Sequence, residues 1–94
     1  MSNIEAIVKV ISANYALNPN IKSYLIDANA TSIAVTIPTP NFNGITYKLI
    51  RFDMPASANT VTITPATGLI DGSASYQLDN KTAINIISFA GSWF

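Results

Sequence analysis

Alternation of β-branched and polar residues runs through most of this chain, and that pattern fits a pleated strand rather than a helix. Val61 and Ile63 alternate with Thr60, Thr62 and Thr64. Ile33, Val35 and Ile37 share one face of a second run, and Ile45, Tyr47 and Leu49 share one face of a third, against Lys48, Ile50 and Phe52. Ile84 and Ile86 oppose Asn85, Ile87 and Phe89. Ile, Val, Thr, Tyr and Phe favour strands because their branched or flat side chains pack well on a pleated surface. Turn formers separate the runs: Pro38-Thr39-Pro40-Asn41, Asn43-Gly44, Pro65-Ala66-Thr67-Gly68, Asp71-Gly72-Ser73, Asp79-Asn80 and Gly91-Ser92. Short strands broken this regularly predict an all-β fold. We expect a compact antiparallel β-sandwich or barrel-like domain of about seven or eight strands. The strands are expected near 6–12, 22–27, 31–37, 45–52, 59–64, 75–78 and 82–89.

The N-terminal segment reads two ways. Ser2-x-x-Glu5 has the form of a helix-capping box, and Ile4, Ile7, Val8 and Ile11 have helical spacing. Ile4, Ala6, Val8 and Val10 also alternate with Glu5, Ile7, Lys9 and Ile11, and the β-branched content favours a strand. Such a strand is apolar on both faces and needs cover on both. The expected core comprises Val8, Val10, Leu25, Ile33, Val35 and Ile37 from the first half of the chain. Tyr47, Leu49, Val61, Ile63, Ile70, Leu78, Ile84 and Ile86 complete it.

With 94 residues the chain supports one core, so a single β-domain spanning 1–94 is expected. Five basic and five acidic residues cancel, and charged residues make up only 11% of the chain. Disorder is excluded by this apolar, charge-poor composition. General electrostatic binding to nucleic acid needs many Lys and Arg to neutralise phosphates, so no nucleic-acid partner is expected. No apolar run approaches the ~18 residues of a membrane-spanning helix, and no membrane insertion is expected. A neutral surface with mean hydropathy of +0.32 invites association.

The chemistry available is narrow. The chain has neither Cys nor His, which removes the usual thiolate nucleophile, the usual general base and the common zinc ligands. Glu5, Asp27, Asp53, Asp71 and Asp79 are spread along the sequence, and the glycines are too dispersed for a phosphate loop. No catalytic residue, cofactor or metal ligand is therefore predicted. Arg51 and Asp53 share a strand face and suit a surface ion pair. Asp71 and Gly72 are expected as a structural turn, the aspartate hydrogen-bonding local backbone and the glycine allowing positive φ.

Aromatic residues are many beside so few charges. Tyr47, Phe52 and Phe89 fall within strand patterns and are expected in the core. Trp93 and Phe94 close the chain and need burial in a core or an interface. Ile7, Ile11, Trp93 and Phe94 are the candidate oligomer-interface residues.

The order of segments adds a resemblance. Ile33-Ala34-Val35-Thr36-Ile37-Pro38 is followed by Tyr47-Lys48-Leu49-Ile50-Arg51-Phe52-Asp53 and then by Asn59-Thr60-Val61-Thr62-Ile63. Ile70-Asp71-Gly72 and the closing Ile86-Ile87-Ser88-Phe89-Ala90-Gly91-Ser92-Trp93 come after. From about Val8 to Trp93 this resembles a β-rich module of bacteriophage tail-fibre and spike proteins and of large DNA virus surface proteins. It departs from that pattern at Phe89-Ala90-Gly91, where the module usually has Ser-Asp-Gly. The resemblance implies a non-enzymatic structural protein located in the virion, at the capsid or tail surface: a spike, a capsid vertex or decoration, or a fibre component. It also implies a homotrimer and contact with other virion proteins. A host glycan- or receptor-binding module is the alternative. The opening Met1 and the fit of the module to the whole chain suggest a complete small gene product.

Overall fold

The computed structural model describes residues 8–52, 58–79 and 82–94. Every regular element among them is a strand. In chain order these are β1 (Val8–Ile11), β2 (Tyr15–Ala16), β3 (Ser23–Ile26), β4 (Ile33–Ile37) and β5 (Thr46–Arg51). β6 (Val61–Pro65), β7 (Tyr76–Gln77), β8 (Ala83–Phe89) and β9 (Ser92–Trp93) follow. They form a five-stranded sheet in the order β1-β3-β5-β8-β9 and a four-stranded sheet in the order β2-β4-β6-β7.

The sheets are mixed rather than antiparallel. β1 pairs parallel with β3, and β3 with β5. β2 pairs parallel with β4, and β4 with β6. The chain therefore winds as a coil, crossing from one sheet to the other and back. Each return lays a strand beside the one before last, so the intervening strand serves as the crossover that parallel pairing requires. Three such passes, β1–β2, β3–β4 and β5–β6, build the body. The antiparallel β7, β8 and β9 then finish it. The expectation of an antiparallel sandwich is corrected on this point, and the described strands number nine.

Parallel stacking sets residues from successive passes in columns. Ile33 and Val61 align, as do Val35 and Ile63, and all four are buried between the sheets. On the facing sheet the inward columns are Ile11-Ile26-Arg51 and Lys9-Tyr24-Leu49-Ile84. An aromatic row runs through this interior. Tyr15 to Tyr24 is 6.0 Å between ring centroids, Tyr24 to Tyr47 is 6.2 Å, and Tyr47 to Trp93 is 5.5 Å.

The core differs from expectation where a strand is apolar on both faces. Val8 and Val10 point outward and are 49% and 56% exposed, while Ile11 is buried. Leu25 is half-buried on the outside because Tyr24 and Ile26 take the inside. Ile84, expected in the core, is half-buried. Of the strand aromatics, Tyr47 is buried, but Phe52 and Phe89 are exposed on the outer face. Arg51 is buried rather than a surface residue. Its guanidinium donates to the Leu78 carbonyl at 2.8 Å and to the Asn59 carbonyl at 2.5 Å, joining β5 to both ends of the β6–β7 segment. Asp53 lies outside the described residues.

Candidate functional site

The two outer faces differ in chemistry. Ala34, Thr36, Thr62 and Thr64 face outward from the four-stranded sheet. The five-stranded sheet presents Val8 and Val10 from β1, Leu25 from β3, and Ile50 from β5, with Phe52 just beyond β5. Val10, Leu25 and Ile50 lie in one register row, so the apolar side chains form a continuous stripe across three strands. Ile87 and the 60%-exposed Phe89 extend the face along β8. Lys48 lies in the neighbouring row between Ser23 and Asn85. A stripe of large apolar side chains open to water is characteristic of an interaction surface.

A cleft of about 200 Å³ opens at the β7/β8 end, between the sheets. Ile84 and Ile86 form its floor, and Tyr76, Phe94, Ile70 and Asp71 form its walls. Asp71 and Gly72 build a two-residue turn with φ of 49° and 80°. Ile70 and Ser73 exchange backbone hydrogen bonds of 2.8 and 2.9 Å across it. Consecutive positive φ values define the type I′ geometry that Asp-Gly favours. The Asp71 N–H also donates to the Trp93 carbonyl at 2.7 Å, which ties the turn to β9. A wider groove of about 570 Å³ lies elsewhere, between Pro19, Asn20, Lys22, Asn41, Phe42 and Thr46.

Two lysines occupy the inner rows rather than the outer faces. The Lys9 ammonium lies 5.7 Å from the Tyr15 ring centroid, and that of Lys22 lies 5.0 Å from the Tyr47 centroid. Both lysines are exposed in the chain, and each ammonium lies within cation–π range of a ring. Tyr24 is fully buried, and its hydroxyl donates to the Asn18 carbonyl at 2.9 Å and accepts from the Asn18 N–H at 2.8 Å. Desolvation pushes its pKa up to about 12, against the lowering effect of the Asn18 hydrogen bond. Burial also raises Tyr47. Among the described residues no group of three or more carboxylates assembles into a metal cage.

The candidate interface residues separate. Ile11 and Trp93 are buried inside the chain itself, so their side chains are not presented to a partner. Phe94 is exposed and lines the cleft. Ile7 lies outside the described residues. The apolar side chains on the outer face are instead those of Val8, Val10, Leu25 and Ile50, of which the first three carry the core pattern in sequence. No protein-family model matches this chain, and no curated protein matches it in sequence.

Proposed function

We propose that this chain is a non-enzymatic structural protein of a virion, acting by homo-oligomeric assembly, with a trimer as the favoured form. A spike, a capsid vertex or decoration, or a fibre component would each use such a chain, beside other virion proteins. The observation that carries this reading is the apolar stripe Val10-Leu25-Ile50 on the outside of the five-stranded sheet. A chain with 11% charged residues has little else to keep that face in water as a monomer. Covering it with further copies adds the buried area that small single domains lack. The resemblance to the virion module, carried by Asn59-Thr60-Val61-Thr62-Ile63 and Ile70-Asp71-Gly72, supplies the setting.

Sedimentation equilibrium over a wide concentration range tests the reading. An oligomer that Leu25→Lys dissociates, with the far-ultraviolet spectrum unchanged, is the expected result. A wild-type chain that stays monomeric throughout removes it.

A second reading, a host glycan- or receptor-binding module, is favoured by the cleft. The exposed residues Tyr76 and Phe94 line it together with Asp71. Aromatic faces and a few polar groups are what a sugar ring needs. Binding of a glycan in an array, lost in Tyr76→Ala, would support it; an array without hits would remove it.

A further inference from the structure

Among the described residues the coil has unpaired strand edges at both ends, and the two ends are complementary. At one end β1 and β2 are edge strands; at the other, β7 and the first half of β8 are. Successive residues of a strand direct their N–H and C=O groups to opposite neighbours. The Ile11 carbonyl accepts from Asp27 N–H at 2.8 Å, so Ile11 and Lys9 face β3. Val8 and Val10 therefore turn their backbone groups to the open side. On β8, Ile87 exchanges 2.9 Å hydrogen bonds with Phe94, which continues the line of β9, and the Thr82 carbonyl accepts from Arg51 on the other side. Ala83 and Asn85 thus face away from β5, on the side where no described strand pairs with them. The cleft described above is the inner margin of this vacant strand position.

We infer that the vacant position receives β1 of a second copy, stacked head to tail. The occupant, another copy of this chain, rests on the homo-oligomeric reading; the edge adjoins the apolar stripe at Val8 and Val10 but pairs through backbone groups rather than through the outward side chains. Carrying the column register forward sets the second copy's Val8 opposite Asn85 and its Val10 opposite Ala83. The stacked strand runs antiparallel to β8. In that register both residues of each pair have free backbone groups, so each pair exchanges two hydrogen bonds.

Charge decides between this occupant and an arbitrary strand. An inward-pointing charge on an edge strand normally prevents edge-to-edge pairing. Lys9 is such a charge, and its column continues through Tyr24 and Leu49 to Ile84, on the floor of the cleft. The second copy's Lys9 would therefore enter a cleft lined in part by the exposed acidic residue Asp71. Among the described residues neither Lys9 nor Asp71 has an ion-pair partner within its own chain. The other sheet agrees. Tyr15 of β2 continues in register through Val35 and Ile63 to Tyr76, so the second copy's Tyr15, which lies under Lys9, would meet Tyr76 at the cleft. The charge that blocks a general partner becomes the one that selects this one. Such a contact is heterologous: it closes into a ring if the rotation allows, or extends as a filament.

Cysteine cross-linking tests the register, since the chain has no cysteine of its own. In the double variant Val8→Cys/Asn85→Cys the two sites within one chain are separated by three strand spacings, roughly 14 Å, and cannot bond. Between copies they lie about 5.5 Å apart, within disulfide reach. Mild oxidation is expected to give a reducible ladder, ending at a closed ring or continuing as a filament. The control Val8→Cys/Thr62→Cys, with its second cysteine on the other sheet, is expected to give at least tenfold less. Val10→Pro, which removes an N–H facing outward from an edge strand, is expected to abolish the contact with the fold retained. An oligomer by sedimentation that cross-links no better than the control overturns this contact while sparing the homo-oligomeric reading. A chain that is monomeric and uncross-linked, as it would be if the edge served another protein's strand, overturns both.

Discussion

Trp93 packs against Tyr47 with 5.5 Å between ring centroids and a 48° tilt, so the last strand is anchored on the aromatic row at the centre of the molecule. The indole is 1% exposed, and its Nε1 has no hydrogen-bond partner among the described residues. Its contribution is therefore packing. Trp93→Ala is expected to cost about 3–5 kcal/mol, as for other large aromatic truncations in cores. Trp93→Phe should cost clearly less, because it keeps a ring beside Tyr47 and breaks no hydrogen bond. Denaturant unfolding measures both, and equal losses in the two variants would contradict the packing account.

Gly68 and Gly72 both have positive φ, at 75° and 80°, but their surroundings differ. A Cβ on Gly72 meets open space, so Gly72→Ala is expected to cost only the backbone term of about 1–2 kcal/mol. A Cβ on Gly68 would collide with the Gly91 carbonyl oxygen and reach 2.9 Å from Ser92 Oγ. Gly68→Ala should therefore lose more stability than Gly72→Ala in parallel thermal melts, since the β8–β9 turn must move to admit it.

Ala90 holds φ at 54° in the turn between β8 and β9, followed by Gly91 at 82°. Alanine gains nothing in the left-handed region, whereas Asn tolerates it. Ala90 uses its N–H to donate to Asn43 Oδ1 at 2.9 Å, a bond that any residue except proline retains. Ala90→Asn is expected to stabilise the chain by about 0.5–1 kcal/mol, seen as a rise of a few degrees in Tm. A fall in Tm would contradict a left-handed backbone at Ala90.

Buried Arg51 fixes two backbone carbonyls with one planar group, which a lysine ammonium cannot reproduce. Arg51→Ala is expected to cost about 3–5 kcal/mol by stranding buried polar partners. Arg51→Lys should recover less than half of that loss in urea unfolding. A full rescue would indicate that only the charge matters.

Alternation made half of the interior legible. Ile33, Val35, Ile37, Val61 and Ile63 are buried as expected, because each alternates with Ala or Thr and leaves no doubt about the inner face. β1 and β3 are apolar on both faces, so the period cannot say which side is in, and Val8, Val10 and Leu25 emerge outside. Strand direction was hidden for a different reason. Pairing partners in this coil are separated by a whole strand of the other sheet, a non-local arrangement that no turn signal encodes. Asp71-Gly72 was readable because two-residue turns with positive φ need such residues, whereas Ala90-Gly91 disguised a second one. Lys9 alternates with valines on a segment apolar on both faces, so only the register shows that it holds an inner column.

The pH dependence of stability has a defined sign at Tyr24. Its folded pKa, about 12, exceeds the ordinary value of 10.0 because burial disfavours the phenolate. Between these values the unfolded chain has released a proton that the folded chain still holds, so stability falls as pH rises. The stabilisation is intact below pH 10 and is lost progressively toward pH 12, with Tyr47 contributing in the same direction. Tyr24→Phe removes a hydroxyl that both donates to and accepts from Asn18, so at pH 7 it should cost about 1 kcal/mol. It should also flatten the alkaline decline, because one of the two raised phenols is gone. Urea unfolding of both proteins at intervals from pH 7 to pH 12 reads the two effects together, and an alkaline slope that is the same in the variant would remove Tyr24 as its source.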